Sequence, residues 1–278
     1  MDLKSFITHS LEEDIGNGDH TSLACIPANA SGKAQLIVKE NCILAGVELA
    51  KKIFLHIEPK IKITIILKDG SIAKKGSVAF FVEGKIQTIL KAERLVLNCM
   101  QRMSGIATIT NKMVEQLKGT KAKLLDTRKT TPNFRALEKC AVKIGGGENH
   151  RPGLYDMILI KDNHIDYAGG ISNAVSTTKK YLKKKHKNLK IEIEARSINE
   201  VKEVISIGGI DRIMLDNFTI SKTKEAVKLI GGMFEIETSG NINFENIRKY
   251  AECGVDYISV GALTHSYKSI DLSLKAMK

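Results

Sequence analysis

The chain has 278 residues, 43% of them hydrophobic and 27% charged, a balance that fits a folded globular protein of one large domain or two smaller ones. It has no apolar run of about 18 residues to span a membrane and no apolar signal-peptide core behind Met1-Asp2-Leu3. Its five scattered cysteines include no CxxC pair, which argues against a disulfide framework or a zinc site and for the cytoplasm. The net charge of +12 leaves a solvated lysine-rich surface, nucleic-acid binding or a polyanionic small ligand, and an aromatic content of 5% without a recognition module weighs against nucleic acid.

Leu3, Phe6, Ile7, Leu11 and Ile15 form a stripe that predicts an amphipathic helix over 1–20, closed by the turn cluster Gly16-Asn17-Gly18-Asp19. Strands are expected at 33–39, 62–67 and 77–83, a helix at 45–57, and two further helices at 91–101 and 105–117. Short apolar runs then alternate with helix-length stretches. Leu124-Leu125 leads into Asp126-Thr127-Arg128-Lys129, Leu159-Ile160 into Lys161-Asp162, and Ile191-Glu192-Ile193 into Glu194. Ile213-Met214-Leu215 leads into Asp216-Asn217, Phe234-Glu235-Ile236 into Glu237-Thr238-Ser239-Gly240, and Ile258-Ser259-Val260 into Gly261. This is the pattern of βα units with parallel strands, so the chain reads as α/β after an α+β first part, with a boundary near 105–118. In a βα barrel the carboxyl ends of the strands converge on one mouth. Arg128, Lys129, Lys161, Glu194, Asp216 and Glu237 are expected there.

In Ile191-Glu192-Ile193-Glu194, and again in Phe234-Glu235-Ile236-Glu237, apolar and acidic residues alternate. If the apolar face packs on helices, the glutamates point into the barrel. An unpaired buried carboxylate is expensive. The inward charge therefore predicts either a salt-bridge network or a polar ligand site, and Lys123, Arg128 and Lys161 could serve either one.

Three clusters carry a resemblance: Asp126-Thr127-Arg128-Lys129-Thr130-Thr131-Pro132, Gly145-Gly146-Gly147-Glu148-Asn149-His150-Arg151 and Leu159-Ile160-Lys161-Asp162-Asn163-His164. Glu194, Leu215-Asp216-Asn217-Phe218, Glu237-Thr238-Ser239-Gly240-Asn241 and Ser259-Val260-Gly261-Ala262 follow in register, and Ala92-Glu93-Arg94 precedes them. Together they resemble the quinolinate phosphoribosyltransferase family over essentially the whole chain. The resemblance implies an N-terminal α/β sandwich (1–110) and an incomplete (β/α) barrel of the type II phosphoribosyltransferase kind (111–265). It also implies a C-terminal helix (266–278) packing back on the N-terminal domain. The implied reaction joins quinolinate to phosphoribosyl pyrophosphate with Mg²⁺, giving nicotinate mononucleotide, pyrophosphate and carbon dioxide in NAD biosynthesis. A homodimer or higher even oligomer is implied, with Arg94 reaching the neighbouring quinolinate pocket.

The residue types suit those substrates. Guanidinium forks match carboxylates and ammonium groups match phosphates, so Arg128 and Arg151 are expected on quinolinate and Lys129 and Lys161 on phosphate or on charge developing at the leaving pyrophosphate. His150 is expected to donate a further hydrogen bond to a carboxylate. Glu194 and Asp216 are expected to hold ribose hydroxyls and Mg²⁺, directly or through water; the structural alternative is an inward salt bridge to Lys161. Ser239, Gly240, Asn241 and Gly261 follow the last two strands, where barrels commonly bind a phosphate. The rival readings are a paralogous phosphoribosyltransferase, a Schiff-base lyase built on Lys161, and a basic nucleic-acid-binding protein.

Overall fold

The computed structural model describes residues 2–277, which divide into two compact units. The first takes the chain up to Asn111, then Thr131–Gly146 and the residues from Ser266 on; the second takes Lys112–Thr130 and Gly147–His265. In chain order the elements begin with α1 (Leu3–Ile15), α2 (His20–Cys25), β1 (Ser31–Val38), β2 (Cys42–Ile43), α3 (Val47–Ile57), β3 (Lys62–Ile65), β4 (Ile72–Ala73), β5 (Val78–Lys85) and α4 (Ile86–Leu117). There follow β6 (Lys123–Leu125), α5 (Arg135–Ile144), β7 (Ile158–Ile160), α6 (Asp162–Ala168), α7 (Ile171–Lys184), β8 (Ile191–Ala195), α8 (Ile198–Ile207) and β9 (Arg212–Asp216). The chain closes with α9 (Ile220–Ile230), β10 (Glu235–Ser239), α10 (Ile247–Ala251), β11 (Tyr257–Ser259), α11 (Ala262–His265) and β12 (Leu272–Met277).

In the first unit, an antiparallel sheet runs in the order β12-β1-β5-β3. Alternation along β1 buries Ala34, Leu36 and Val38, and Leu36 stands opposite Leu274 of β12. Phe54 of α3 meets Phe80 of β5 edge to face at 6.1 Å. The first expected helix is α1, which ends at the Gly16 turn as expected, and a second short helix, α2, follows from His20; the Ser5 N–H donates to the cap Asp2 at 2.9 Å and the Ser22 N–H to the cap Asp19 at 3.1 Å.

Three expectations need correction here. The C-terminal stretch is not a helix: Leu272–Met277 is the edge strand β12, antiparallel to β1. Ile270, Leu272 and Leu274 are buried at a period of two, which a helix does not satisfy. The helices expected at 91–101 and 105–117 are one helix, α4. Met103, Ser104 and Ile106 are buried within it, and the Ser104 hydroxyl accepts the Ala45 N–H at 2.9 Å. Gly105 does not interrupt α4 but allows a close approach, since a Cβ there would lie 2.3 Å from the Lys268 carbonyl oxygen. Finally, α5 groups with the first unit although it follows β6. Glu138 of α5 is fully buried and paired with Arg102 of α4, and Phe134 packs on Phe6 at 5.6 Å.

The second unit is a parallel six-stranded sheet in the order β6-β11-β10-β9-β8-β7, alternating with helices. Strands β6 and β7 are its two edges, so the barrel is incomplete. The register sets Ser239 beside Asp216 and Ser259 beside Leu125, which brings the carboxyl ends to one rim. Among the described residues no helix is long and apolar enough to cross a membrane.

Candidate active site

The carboxyl ends of these strands surround a cavity of about 660 Å³. Arg128 and Lys129 enter it after β6, Lys161 after β7, Glu194 from β8 and Asp216 from β9. Ser239, Gly240 and Asn241 line it after β10, Gly261 after β11, and His150 and Arg151 from the loop before β7. Eleven residues expected in the mouth thus share one cavity.

Local hydrogen bonds set each group. The Glu148 N–H donates to Leu124 O (2.8 Å) and the Asp126 N–H to Glu148 O (3.2 Å), so the 148–150 segment lies along β6 as a short parallel bridge. Buried Asp126 then accepts the His150 N–H at 2.9 Å. The Lys129 carbonyl accepts the Thr264 hydroxyl at 2.8 Å. Lys161 ends β7 in extended geometry, and its N–H donates to His164 Nδ1 at 2.9 Å, closing the first turn of α6. Asn217 sits in left-handed backbone (φ 55°), donates its N–H to Ser239 O and its amide to Asp216, and accepts from the Asn241 amide at 3.1 Å. Gly240 (φ 92°) completes this turn, and a Cβ there would lie 2.2 Å from Asn217 Oδ1.

The charges arrange themselves in two groups. Arg151 is buried, with one guanidinium nitrogen donating to Met157 O at 3.0 Å. Burial and then the neighbouring Arg128 guanidinium hold its pKa below the ordinary arginine value. Arg128 Nε is itself buried without a hydrogen-bond acceptor. Two adjacent guanidiniums with donors to spare form a receptor for carboxylate. Across the mouth, Lys161 Nζ lies 3.2 Å from Glu194 Oε2. Burial raises the Glu194 pKa; Lys161 pulls it down and Asp216 pushes it up.

The inward glutamates resolve into both anticipated outcomes. Glu194 faces the cavity and Glu237, though fully buried, borders it beside His150, whereas Glu192 and Arg212 lie beneath. His150 Nε2 lies 3.1 Å from Glu192 Oε2 and 3.4 Å from Glu237 Oε2. Arg212 donates to Glu237 at 2.9 Å and to Glu235 at 3.1 Å, and stacks on the Tyr257 ring at 3.8 Å. Burial and Glu237 push the Glu192 pKa up; burial also works to raise Glu237, but His150, Ser259 and Arg212 outweigh it and hold that group down. For His150, burial works against a charged ring, and the two glutamates outweigh it and raise its pKa. Nδ1 accepts the Arg151 N–H at 2.8 Å, so in this geometry the ring proton sits on Nε2, on the side of the two glutamates. His150 therefore lines the cavity with Nδ1 taken by the Arg151 N–H and Nε2 turned toward the two glutamates.

Two expected cations lie elsewhere. Arg94 is exposed on α4 and lines a separate cavity of about 500 Å³ within the first unit, beside Arg102 and Asn98. Lys123 opens β6 and pairs with Glu148 at 2.9 Å, outside the mouth. Arg212 and Asn217 were not singled out in the sequence, although counting back by twos from Asp216 through Met214 sets Arg212 on the same inward face.

A barrel mouth that concentrates guanidinium and ammonium groups around two carboxylates belongs to an enzyme acting on phosphorylated, multiply anionic substrates. Family models sharpen this: residues 19–104 match the N-terminal domain of quinolinate phosphoribosyl transferase and residues 106–275 its C-terminal domain. A chloroplastic nicotinate-nucleotide pyrophosphorylase [carboxylating] of Arabidopsis thaliana is 46% identical over 99% of this chain and 82% of its own length. A probable enzyme of the same name from Bacillus subtilis is 40% identical over 99% of this chain and 93% of its own. Among solved structures, the nicotinate-nucleotide pyrophosphorylase of Ehrlichia chaffeensis superposes with a TM-score of 0.93 at 38% identity, covering 100% of this chain and 99% of that one. The chain belongs to the quinolinate phosphoribosyltransferase family. It is a decarboxylating phosphoribosyltransferase of NAD biosynthesis.

Proposed function

We propose that the cavity at the barrel mouth holds quinolinate at its arginine end and phosphoribosyl pyrophosphate at its Lys161–Asn241 end. The observation that carries this reading is the pair Arg128 and Arg151: two adjacent guanidiniums lining one cavity. Quinolinate, a flat dicarboxylate, supplies acceptors for them. The Ser239-Gly240-Asn241 turn and Gly261 offer close backbone approach to the 5′-phosphate. Lys129 and Lys161 face the pyrophosphate.

The transfer needs no protein nucleophile. The pyridine nitrogen attacks the ribose carbon as the bond to pyrophosphate breaks, and positive charge builds on the ribose ring. Glu194 and Asp216 hold the ribose hydroxyls and face that charge, while Lys161 and Lys129 stabilise the departing pyrophosphate; catalysis is positioning plus electrostatics. Carbon dioxide then leaves from the ring; the electron pair stays on the ring carbon, stabilised by the adjacent cationic nitrogen, and that carbon takes up a proton from solvent. Mg²⁺ fits this donor set, because Glu194 and Asp216 are hard oxygen donors close enough to influence one another, and magnesium typically takes one or two carboxylates plus substrate phosphates. When bound it would neutralise phosphate charge.

The same reading makes the enzyme an even oligomer. Among the described residues Arg94 has no ion pair or hydrogen-bond partner, yet it borders a cavity of its own unit, as a residue completing a second copy's quinolinate pocket would. The free cysteines agree with the cytoplasm. The test measures nicotinate mononucleotide and carbon dioxide from quinolinate and phosphoribosyl pyrophosphate, with and without Mg²⁺ and with nicotinate in parallel. Magnesium-dependent product from quinolinate alone is expected; turnover of nicotinate instead would overturn the substrate assignment. Mixing R94A with K161A subunits should restore roughly a quarter of wild-type activity if each pocket uses one residue from each copy of a two-fold dimer. No recovery would place Arg94 outside the pocket.

A further inference from the structure

Beneath the mouth lies a largely buried charged cluster that direct substrate binding does not explain. Glu192 of β8 and Glu237 of β10 are fully buried on either side of β9, and Arg212 of β9 reaches both, at 4.0 Å and 2.9 Å. Clusters of this kind commonly cost stability relative to apolar residues of the same volume. Here the cost is aggravated, because Glu192 Oε1 has no hydrogen-bond partner. A feature that does little for folding yet ends on a residue of the active site calls for a functional account.

The geometry points to Glu192, Glu237 and Arg212 as positioning residues for quinolinate binding, acting through His150 on Arg151. This rests on the assignment of Arg151 to quinolinate above. The chain of contacts is continuous. Arg212 fixes Glu237, and the carboxylates of Glu192 and Glu237 lie 3.1 Å and 3.4 Å from His150 Nε2. With the ring proton on Nε2, Nδ1 is the acceptor and takes the Arg151 N–H at 2.8 Å. Asp126 takes the His150 N–H at 2.9 Å, so two consecutive backbone amides are fixed at the base of the Arg151 side chain. In the opposite tautomer Nδ1 would carry a proton facing the Arg151 N–H, two donors head to head, and the Arg151 backbone would have to turn away. The glutamates thus set a tautomer, and the tautomer sets the aim of a guanidinium. Sub-ångström placement of such a group matters, because a misplacement of about 1 Å can cost on the order of a hundredfold.

The test compares Glu192→Met, which removes charge and acceptor at similar volume, with Glu192→Gln, which keeps an acceptor for Nε2–H. For E192M, KM for quinolinate is expected to rise about tenfold, the loss of one charge-assisted hydrogen bond, with KM for phosphoribosyl pyrophosphate within about twofold of wild type. E192Q is expected to restore most of the quinolinate KM. Nitrogen-15 spectra of the His150 ring in the wild-type protein should show a proton on Nε2 and none on Nδ1. An unchanged quinolinate KM in E192M, an equal rise for both substrates, or a wild-type ring protonated on Nδ1 would each overturn the inference. The spectra decide it even if E192M fails to fold. A wild-type enzyme that ignores quinolinate would instead remove the substrate assignment while leaving the ring measurement standing.

Discussion

Replacing Gly240 by alanine probes the phosphate end of the mouth with the least chemical change. Two costs can be read from the structure. The backbone φ of 92° is one that residues with a Cβ rarely adopt, and such strain costs roughly 1–3 kcal/mol. The new Cβ would also lie 2.2 Å from Asn217 Oδ1 and 3.0 Å from the Asn217 backbone nitrogen. Relieving that overlap means breaking the Asn241-to-Asn217 contact at 3.1 Å, which holds the turn together. At roughly 2–4 °C per kcal/mol for a domain of this size, the unfolding midpoint should fall by several degrees. The more telling effect is on substrate. If backbone N–H groups of the 239–241 turn hold the 5′-phosphate, displacing one charge-assisted hydrogen bond at about 1.5–3 kcal/mol raises KM for phosphoribosyl pyrophosphate roughly tenfold to a hundredfold. KM for quinolinate should stay where it is. Steady-state kinetics with each substrate varied in turn, beside a thermal melt, measures all three. A lowered midpoint with KM for phosphoribosyl pyrophosphate unchanged would refute the phosphate assignment and leave the turn purely structural.

Arg151→Ala should raise KM for quinolinate roughly tenfold to a hundredfold, as expected for losing a guanidinium–carboxylate pair; equal losses for both substrates would show that the residue only supports the loop. Glu194→Ala should lower kcat and flatten the response to Mg²⁺, measured by titrating the ion at saturating substrates. Turnover at the wild-type level would mean that the carboxylate merely partners Lys161. Burial pushes the Cys42 thiol up to about 11 and Cys99 up to about 12, whereas Cys25 is exposed. At pH 8 a thiolate-directed reagent should therefore modify Cys25 in the native protein and reach Cys42 and Cys99 only on unfolding; rapid native labelling of Cys99, read by mass spectrometry of peptides, would contradict the packing around α4.

The strand ends were legible because a parallel strand is a short apolar run and its end is where charge resumes; Arg128, Lys161, Glu194 and Asp216 all announce themselves in this way. The alternation in Ile191–Glu194 correctly set the glutamates inward, but alternation cannot distinguish a residue facing a cavity from one beneath it. Glu194 and Glu192 differ by one step along β8, and only the packing of His150 and Arg212 separates their roles. Other features depend on partners far away in the chain. Nothing local in Arg135–Ile144 reveals that Glu138 pairs with Arg102 and draws α5 into the first unit. The C-terminal strand was legible in principle, through Ile270, Leu272 and Leu274, and was lost to a helical reading of a short segment in which two periods compete. His150 shows a further limit: its position in the mouth could be anticipated, but its tautomer depends on the Arg151 amide and two glutamates from other strands.

Strand β12 makes residues 272–277 a structural neighbour of β1, some 240 positions earlier, with Lys33 facing Met277 and Val38 facing Leu272. A ribosome therefore releases the amino-terminal sheet unfinished, one flank bare, for as long as the barrel takes to be translated. During that interval β1 offers unpaired amides and carbonyls to any extended peptide nearby. The β12 segment acts as a clasp on a sheet begun some 240 residues earlier. Removing it should appear first as aggregation of nascent chains, with the barrel's chemistry lost only as a consequence.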